Sequence, residues 1–270
     1  MFATLSKVLK KDIVKVFSLN AISTLVKMLT GFVSVKVVAV LIGPAGIALL
    51  GQLTNFATIF LTVSTGGINN GVTKYIAENV GSDKVLATFL RTSFWITLVL
   101  SSLCAAILIL GASFFSKLIF DDNQYAFTIV VFGCTLALYS FNALLLSILN
   151  GFKEFRKYVV VNIISSLFGL LFSASLTLAF GVYGALLAAV TFQSVVFFVT
   201  LTLTVKSSWF KKSNFIGEFN PLAGRKLAHY SVMALVTAST GPISQLVVRR
   251  YITKNVSLTD AGLWEGINRI

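Results

Sequence analysis

Charge is scarce in this chain. Only 11% of its 270 residues are Asp, Glu, Lys or Arg, against about 25% in an ordinary soluble domain. Acids number nine, beside one histidine, three prolines and two cysteines. Each shortage excludes something. The 56% apolar share is more than one globule could bury, because surface falls slowly with size. A soluble enzyme, a disordered chain and a nucleic-acid module are therefore excluded. His229, at the start of a helix, builds neither a triad nor a metal cluster. Cys104 and Cys134 lie inside apolar runs, where a free buried thiol is the norm, so no disulfide framework is implied. No nucleotide-binding glycine loop is present, and no cofactor or metal is called for.

The acids exclude more. Asp12, Glu78, Asp83, Asp121, Asp122, Glu154, Glu218 and Asp260 sit in loops or at helix ends, and only Glu265 reads as intramembrane. The first six spans thus offer no acidic proton relay and no acidic cage for a cationic drug. Asp121-Asp122, without further acids nearby, reads as a solvated loop rather than a metal pair.

What is present is a series of apolar runs of bilayer-spanning length. They cover 13–42, 47–78, 86–111, 125–149, 158–180, 182–205 and 227–252, and an eighth begins near Leu258. The expected fold is an all-α polytopic membrane protein. Gly43-Pro44-Ala45-Gly46 makes a tight turn between the first two spans. Lys7, Lys10, Lys11, Lys74, Lys84, Arg91, Lys153, Arg156, Lys157, Lys206, Lys211, Lys212, Arg225 and Lys226 all fall on one side. The other side has Lys117 in its loops and Arg249, Arg250 and Lys254 at the end of the seventh span. This asymmetry predicts a cytoplasmic N-terminus and accounts for most of the net charge of +13 without any nucleic-acid partner.

A basic linker, 207–225, separates an N-terminal six-helix lobe, 1–206, from an incomplete C-terminal lobe, 226–270. The second part repeats the first. Phe17-Ser18 aligns with Tyr230-Ser231, Thr24 with Thr237 and Lys36 with Arg249. After three extra residues Ala45-Gly46-Ile47 falls on Ala261-Gly262-Leu263. Paired six-span halves are a known transporter plan. With its eighth span only begun at Ile270, the chain reads as one complete lobe plus the first helix and a half of a second, within a protein of about twelve spans.

Helical periodicity selects candidate site residues. Asn20, Thr24, Lys27, Gly31 and Ser34 fall within about 80° of arc on the first helix. Lys27 lies near the bilayer midplane, too deep to snorkel easily. It faces either a water-filled cavity or a structural partner on a neighbouring helix. On the second helix Asn55, Thr62, Gly66, Asn69 and Thr73 lie within about 60° of arc. Gly66-Gly67 reads as a hinge or as a close-packing site. Asn162, Ser166, Gly169, Ser173 and Thr177 form a third stripe, suited to packing or to cavity lining. Gly241-Pro242 in the seventh span predicts a bend, with Gln245, Arg249 and Arg250 beyond it as candidate anion-attracting groups or outer-face anchors.

Four segments resemble the O-antigen translocases. They are Thr24-Leu25-Val26-Lys27, Gly43-Pro44-Ala45-Gly46, Asn70-Gly71-Val72-Thr73-Lys74-Tyr75 and Ala261-Gly262-Leu263-Trp264-Glu265-Gly266. The enterobacterial-common-antigen lipid flippases, within the multidrug/oligosaccharidyl-lipid/polysaccharide exporter superfamily, are the nearest type. The resemblance covers the whole chain, although most of the second lobe is missing. It implies two six-helix lobes around a cavity opening alternately to each side of the bacterial inner membrane. It also implies a non-enzymatic flippase whose cargo, an undecaprenyl-diphosphate-linked oligosaccharide, moves from the cytoplasmic to the periplasmic leaflet. Other glycan-assembly membrane proteins are candidate partners. Lys27 suits a diphosphate, and the Asn and Thr stripes, with Asn20, Thr24, Asn55 and Asn69, suit a sugar path. The alternatives are a drug or cation exporter of the same superfamily and a membrane-embedded glycan polymerase or ligase.

Overall fold

The computed structural model describes the backbone of residues 2–268 and the side chains of residues 20–267. Eight α-helices are described: α1 (Phe2–Ser64), α2 (Asn69–Glu78), α3 (Asp83–Leu110), α4 (Ala112–Phe120), α5 (Ala126–Gly151), α6 (Phe155–Val205), α7 (Pro221–Asn255) and α8 (Leu258–Asn268). A 3₁₀ turn at Lys212–Asn214 lies between α6 and α7. Among the described residues five helices are long and apolar enough to cross a membrane. The chain is an all-helical, multi-pass membrane protein.

Two of the five are hairpins of two spans each. Gly43 has φ 69° and ψ −179°, and Gly181 has φ 58° and ψ −135°, both outside the range that side chains tolerate. Pro44 then opens the second limb of α1, where its missing N–H costs no helical bond. In α6 the doubling back is visible in a contact. A Cβ built on Gly169 would lie 3.3 Å from the Phe192 ring, whereas a straight helix would hold these residues about 35 Å apart. These turns fall at the expected boundaries between spans.

The second span departs from expectation. In place of one helix over 47–78, α1 stops at Ser64 and α2 restarts at Asn69. Gly66 and Gly67 both take φ 63°, and the Gly67 N–H reaches back to the Thr62 carbonyl at 3.0 Å. A side chain on Gly67 would meet the Ser231 carbonyl of α7 at 3.0 Å, so the site is a helix break and a close contact together. The expected 112–124 loop contains α4, because Phe115 packs on Phe56 and Phe60 with ring centroids 5.3 and 5.5 Å apart. α7 continues as one helix through Pro242. Thr237 and Thr240 donate to the Met233 and Val236 carbonyls one turn back.

The linker is shorter than expected and docked. Asn220 caps α7, its Oδ1 accepting from the Ala223 N–H at 3.0 Å, with Pro221 in the first turn. Ahead of it, Arg91 donates to the Ser213 carbonyl at 2.8 Å and Trp95 Nε1 to the Gly217 carbonyl at 2.9 Å. Trp209 stacks on Phe152 at 4.1 Å and donates to Glu154.

The core is in two parts. Near the Gly43 and Gly181 turns, Leu53, Leu108, Ile129, Phe132, Leu136 and Leu186 are wholly buried. At the other end Val72, Ile76, Leu90 and Ile148 pack with Leu227 of α7. Elsewhere in the bundle a buried Ser64–Ser140 hydrogen bond of 2.7 Å ties α1 to α5, the kind of polar contact that joins helices inside a bilayer.

Candidate functional site

A cavity of about 440 Å³ opens between the limbs of α1 and α6, with Tyr139 of α5 at its wall. The volume falls in the range that takes a drug-sized ligand, ~300–1,000 Å³. Lys27 lines it, and so do Gly31 and Ser34 from its own face. The second limb of α1 adds Thr54 and Thr58. From α6 come Asn162, Ser166, Gly169 and Ser173 of the first limb and Gln193 of the second. The third polar stripe is therefore cavity lining over most of its length. Its last member, Thr177, is buried instead and bonds back to Ser173.

Hydrogen bonding within the helices decides what these groups present. Thr54 and Thr58 spend their hydroxyl protons on the Leu50 and Thr54 carbonyls at 2.7 and 2.8 Å, leaving oxygen lone pairs for a ligand. Asn162 gives its Nδ2 to the Tyr158 carbonyl at 3.0 Å, so its Oδ1 remains as an acceptor. Lys27 brings three N–H donors and a positive charge. No carboxylate lines the cavity among the described residues. One cationic donor among hydroxyl and amide acceptors is a chemistry for a ligand that is both anionic and hydroxylated.

The other expected residues are dispersed. Asn20 and Thr24 are exposed on the first limb of α1, outside the cavity lining, and Asn55 is half-buried on the second limb, also outside it. Asn69 begins α2, its Oδ1 buried without a hydrogen bond among the described residues, and Gln245 Oε1 on α7 is in the same condition. Arg250 is exposed. Arg249 differs from the expectation of an anion-attracting outer group. It is completely buried and forms an ion pair with Glu265 of α8. The physical reason is spatial: a side chain on Gly51 of α1 would fall 2.5 Å from the Glu265 carboxylate, so the pair is closed in by that bare backbone. Glu265, which reads in sequence as a lone intramembrane acid, is the partner that neutralises it.

A second contact joins α7 to α2. Lys74 donates to the Tyr230 hydroxyl at 2.6 Å and stands 3.7 Å from Glu78. The Tyr230 bond, and then the Glu78 charge, hold the Lys74 ammonium above its ordinary pKa. Thr54, Thr58, Tyr139 and Gln193 are cavity residues outside the periodic stripes. The residues three and four positions from Gln193, Ala189, Val190, Val196 and Phe197, are apolar, so no polar stripe includes it.

Sequence and fold comparisons relate the chain to known proteins. The model of the family described as polysaccharide biosynthesis protein matches residues 13–270. The chain belongs to the polysaccharide biosynthesis protein family. A lipid III flippase of Escherichia coli (strain K12) is 29% identical to this polysaccharide biosynthesis protein over 253 residues, covering 93% of this chain and 60% of the relative. The chain thus spans 60% of the length of that curated relative. Among solved structures, the MATE multidrug transporter DinF-BH superposes with a TM-score of 0.75 at 17% identity, over 94% of this chain and 59% of that one. An inward-facing multidrug-resistance MATE family transporter of the MOP superfamily gives 0.74 at 12% identity, over 90% of this chain and 57% of that one. At such identities the likeness establishes a shared fold.

Proposed function

We propose that this polysaccharide biosynthesis protein acts in a flippase that carries an undecaprenyl-diphosphate-linked oligosaccharide from the cytoplasmic to the periplasmic leaflet by alternating access. The observation that carries this reading is the lobe cavity, where Lys27 is the only charged lining residue among those described and faces hydroxyl and amide groups. A diphosphate recruits the ammonium, sugar hydroxyls recruit the acceptors, and the polyprenyl tail stays in lipid. The lipid III flippase relative supports the cargo class. Residues 1–206 form the cargo-holding lobe in this reading, and the part from α7 onward belongs to the opposing one. The basic residues around Lys153 and Lys206 face the cytoplasm, as does the N-terminus.

Asn20, Thr24, Asn55 and Asn69 line the path on which the glycan leaves the cavity, and Gln245 and Arg250 contact it from α7. Gly66-Gly67 and Gly241-Pro242 are the hinges of lobe movement. Transport rather than catalysis is the activity, as the names of the relatives suggest. A drug or cation exporter of the same fold is disfavoured by a cavity lined with a cation and no carboxylate, and nothing in the geometry favours a glycan polymerase or ligase.

The test is complementation of cells lacking their own lipid III flippase. Lys27→Ala should abolish surface-glycan export while membrane insertion is retained. Undiminished export would remove Lys27 from cargo handling.

A further inference from the structure

Gln193 lines the cavity from the second limb of α6. Its Oε1 accepts a 2.8 Å hydrogen bond from Nδ2 of Asn142 on α5. Asn142 is 1% exposed. Its Oδ1 accepts in turn from the Thr200 hydroxyl at 2.6 Å, and Thr200 is wholly buried. Gln193 and Thr200 are two helical turns apart on one face of α6, so Asn142 bridges them from the neighbouring helix.

This bridge has a direction. The other acceptor within reach of the Thr200 hydroxyl is the Val196 carbonyl, at 3.3 Å, beyond the usual O–H···O range of about 2.5–3.0 Å. The hydroxyl proton therefore goes to Asn142, which turns the Asn142 carbonyl toward Thr200 and its NH₂ toward Gln193. A primary amide has one carbonyl and one NH₂. With Oε1 turned to Asn142, the NH₂ is the end of the Gln193 amide that faces away from α5, and it is the group offered to a ligand. Lys27 likewise offers only donors.

We propose that Gln193 is a second ligand for the oxyanion that Lys27 binds, a diphosphate group, and that Asn142 and Thr200 are positioning residues holding its amide donor-first. The proposal rests on the reading of the cavity as the cargo site. It adds a neutral donor to a cation, so a diphosphate can set one phosphoryl group on each, whereas the three oxygens of a single phosphate share one centre. Removing the Thr200 hydroxyl leaves the Asn142 carbonyl buried without its donor. Asn142 and Gln193 can then both invert, and Gln193 would meet the ligand with its carbonyl.

The experiment is a binding titration of the full chain in lipid nanodiscs, with undecaprenyl diphosphate, undecaprenyl phosphate and inorganic diphosphate as probes. Gln193→Leu and Gln193→Glu should each weaken diphosphate binding by about tenfold or more, the size expected for a hydrogen bond to a charged group, and should narrow the preference over the monophosphate lipid. Thr200→Val should do the same, and Thr200→Ser, which keeps the hydroxyl, should restore binding. A merely structural Thr200 would give no such split between probes. Gln193 dependence with both diphosphate probes assigns the site to the diphosphate group whatever carries it. Dependence with the lipid alone assigns it to a membrane headgroup, and either result supports the proposal. If Lys27→Met loses binding while both Gln193 variants keep it, the inference is overturned and the cavity reading stands. If the unsubstituted chain binds none of the probes, or Lys27→Met binds as well as it does, the cavity reading falls and the inference with it.

Discussion

Arg249 and Glu265 are sealed together between α7 and α8, the guanidinium wholly buried and the carboxylate side chain 8% exposed. Breaking such a pair from one side leaves an uncompensated buried charge, at a cost of about 3–5 kcal/mol, whereas replacing both partners by apolar groups is often near neutral. Arg249→Met and Glu265→Leu should each lower the apparent melting temperature in detergent. The double variant Arg249→Met/Glu265→Leu should recover most of the loss. Additive losses in the double variant would show that the two charges are held by other partners rather than by each other.

Gly51 is the third member of that contact. A methyl group there would sit 2.5 Å from the Glu265 carboxyl carbon, a distance that real side chains do not adopt. Gly51→Ala should cost about 1–3 kcal/mol, the usual range for overpacking. In the Glu265→Ala background most of that cost should vanish, because the atoms in conflict are gone. A thermal-melting cycle over the four proteins checks this coupling.

The strap between α6 and α7 gives a third expectation. Arg91 and Trp95 hold the carbonyls of Ser213 and Gly217, while the Lys211–Asp83 pair is exposed on both sides, at 61% and 80%. Exposed pairs contribute little, about 0–1 kcal/mol. Arg91→Ala with Trp95→Phe should therefore release the strap, and tryptic cleavage at Lys212 should accelerate severalfold. Asp83→Asn should leave the cleavage rate as it was. Equal protection in the double variant would mean that the Trp209 stacking on Phe152 holds the segment by itself.

Much of this arrangement is legible in the sequence, and what is not has physical reasons. Lys27 and the Asn162–Ser173 stripe are found because a 3.6-residue period puts polar groups on one face. The Gly43-Pro44 turn is readable because few residues other than glycine take that backbone. Gln193 escapes because a single amide has no period, and its orientation depends on Asn142 of another helix. The Arg249–Glu265 pair escapes because its members lie on two helices joined by a turn. A basic residue that defies the charge asymmetry looks like a surface group until its partner is placed. The strap escapes too, since polar composition suggests a loose linker and does not reveal which carbonyls are held.

Gly241 separates stability from motion. It lies inside α7 with open space around it, since a Cβ there would meet nothing within 4 Å. In a helix interior alanine is favoured over glycine by about 0.8–1.0 kcal/mol, so Gly241→Ala should raise the apparent melting temperature. Pro242, next to it, already removes one backbone bond of α7, and glycine keeps the surrounding turn able to bend. If lobe movement uses that turn, the stiffer variant will export glycan more slowly while binding the lipid diphosphate as before. Measuring both in one protein is what gives the comparison its force. A more stable protein with slower export places a hinge at Gly241-Pro242, and a more stable protein with unchanged export removes that role from the turn.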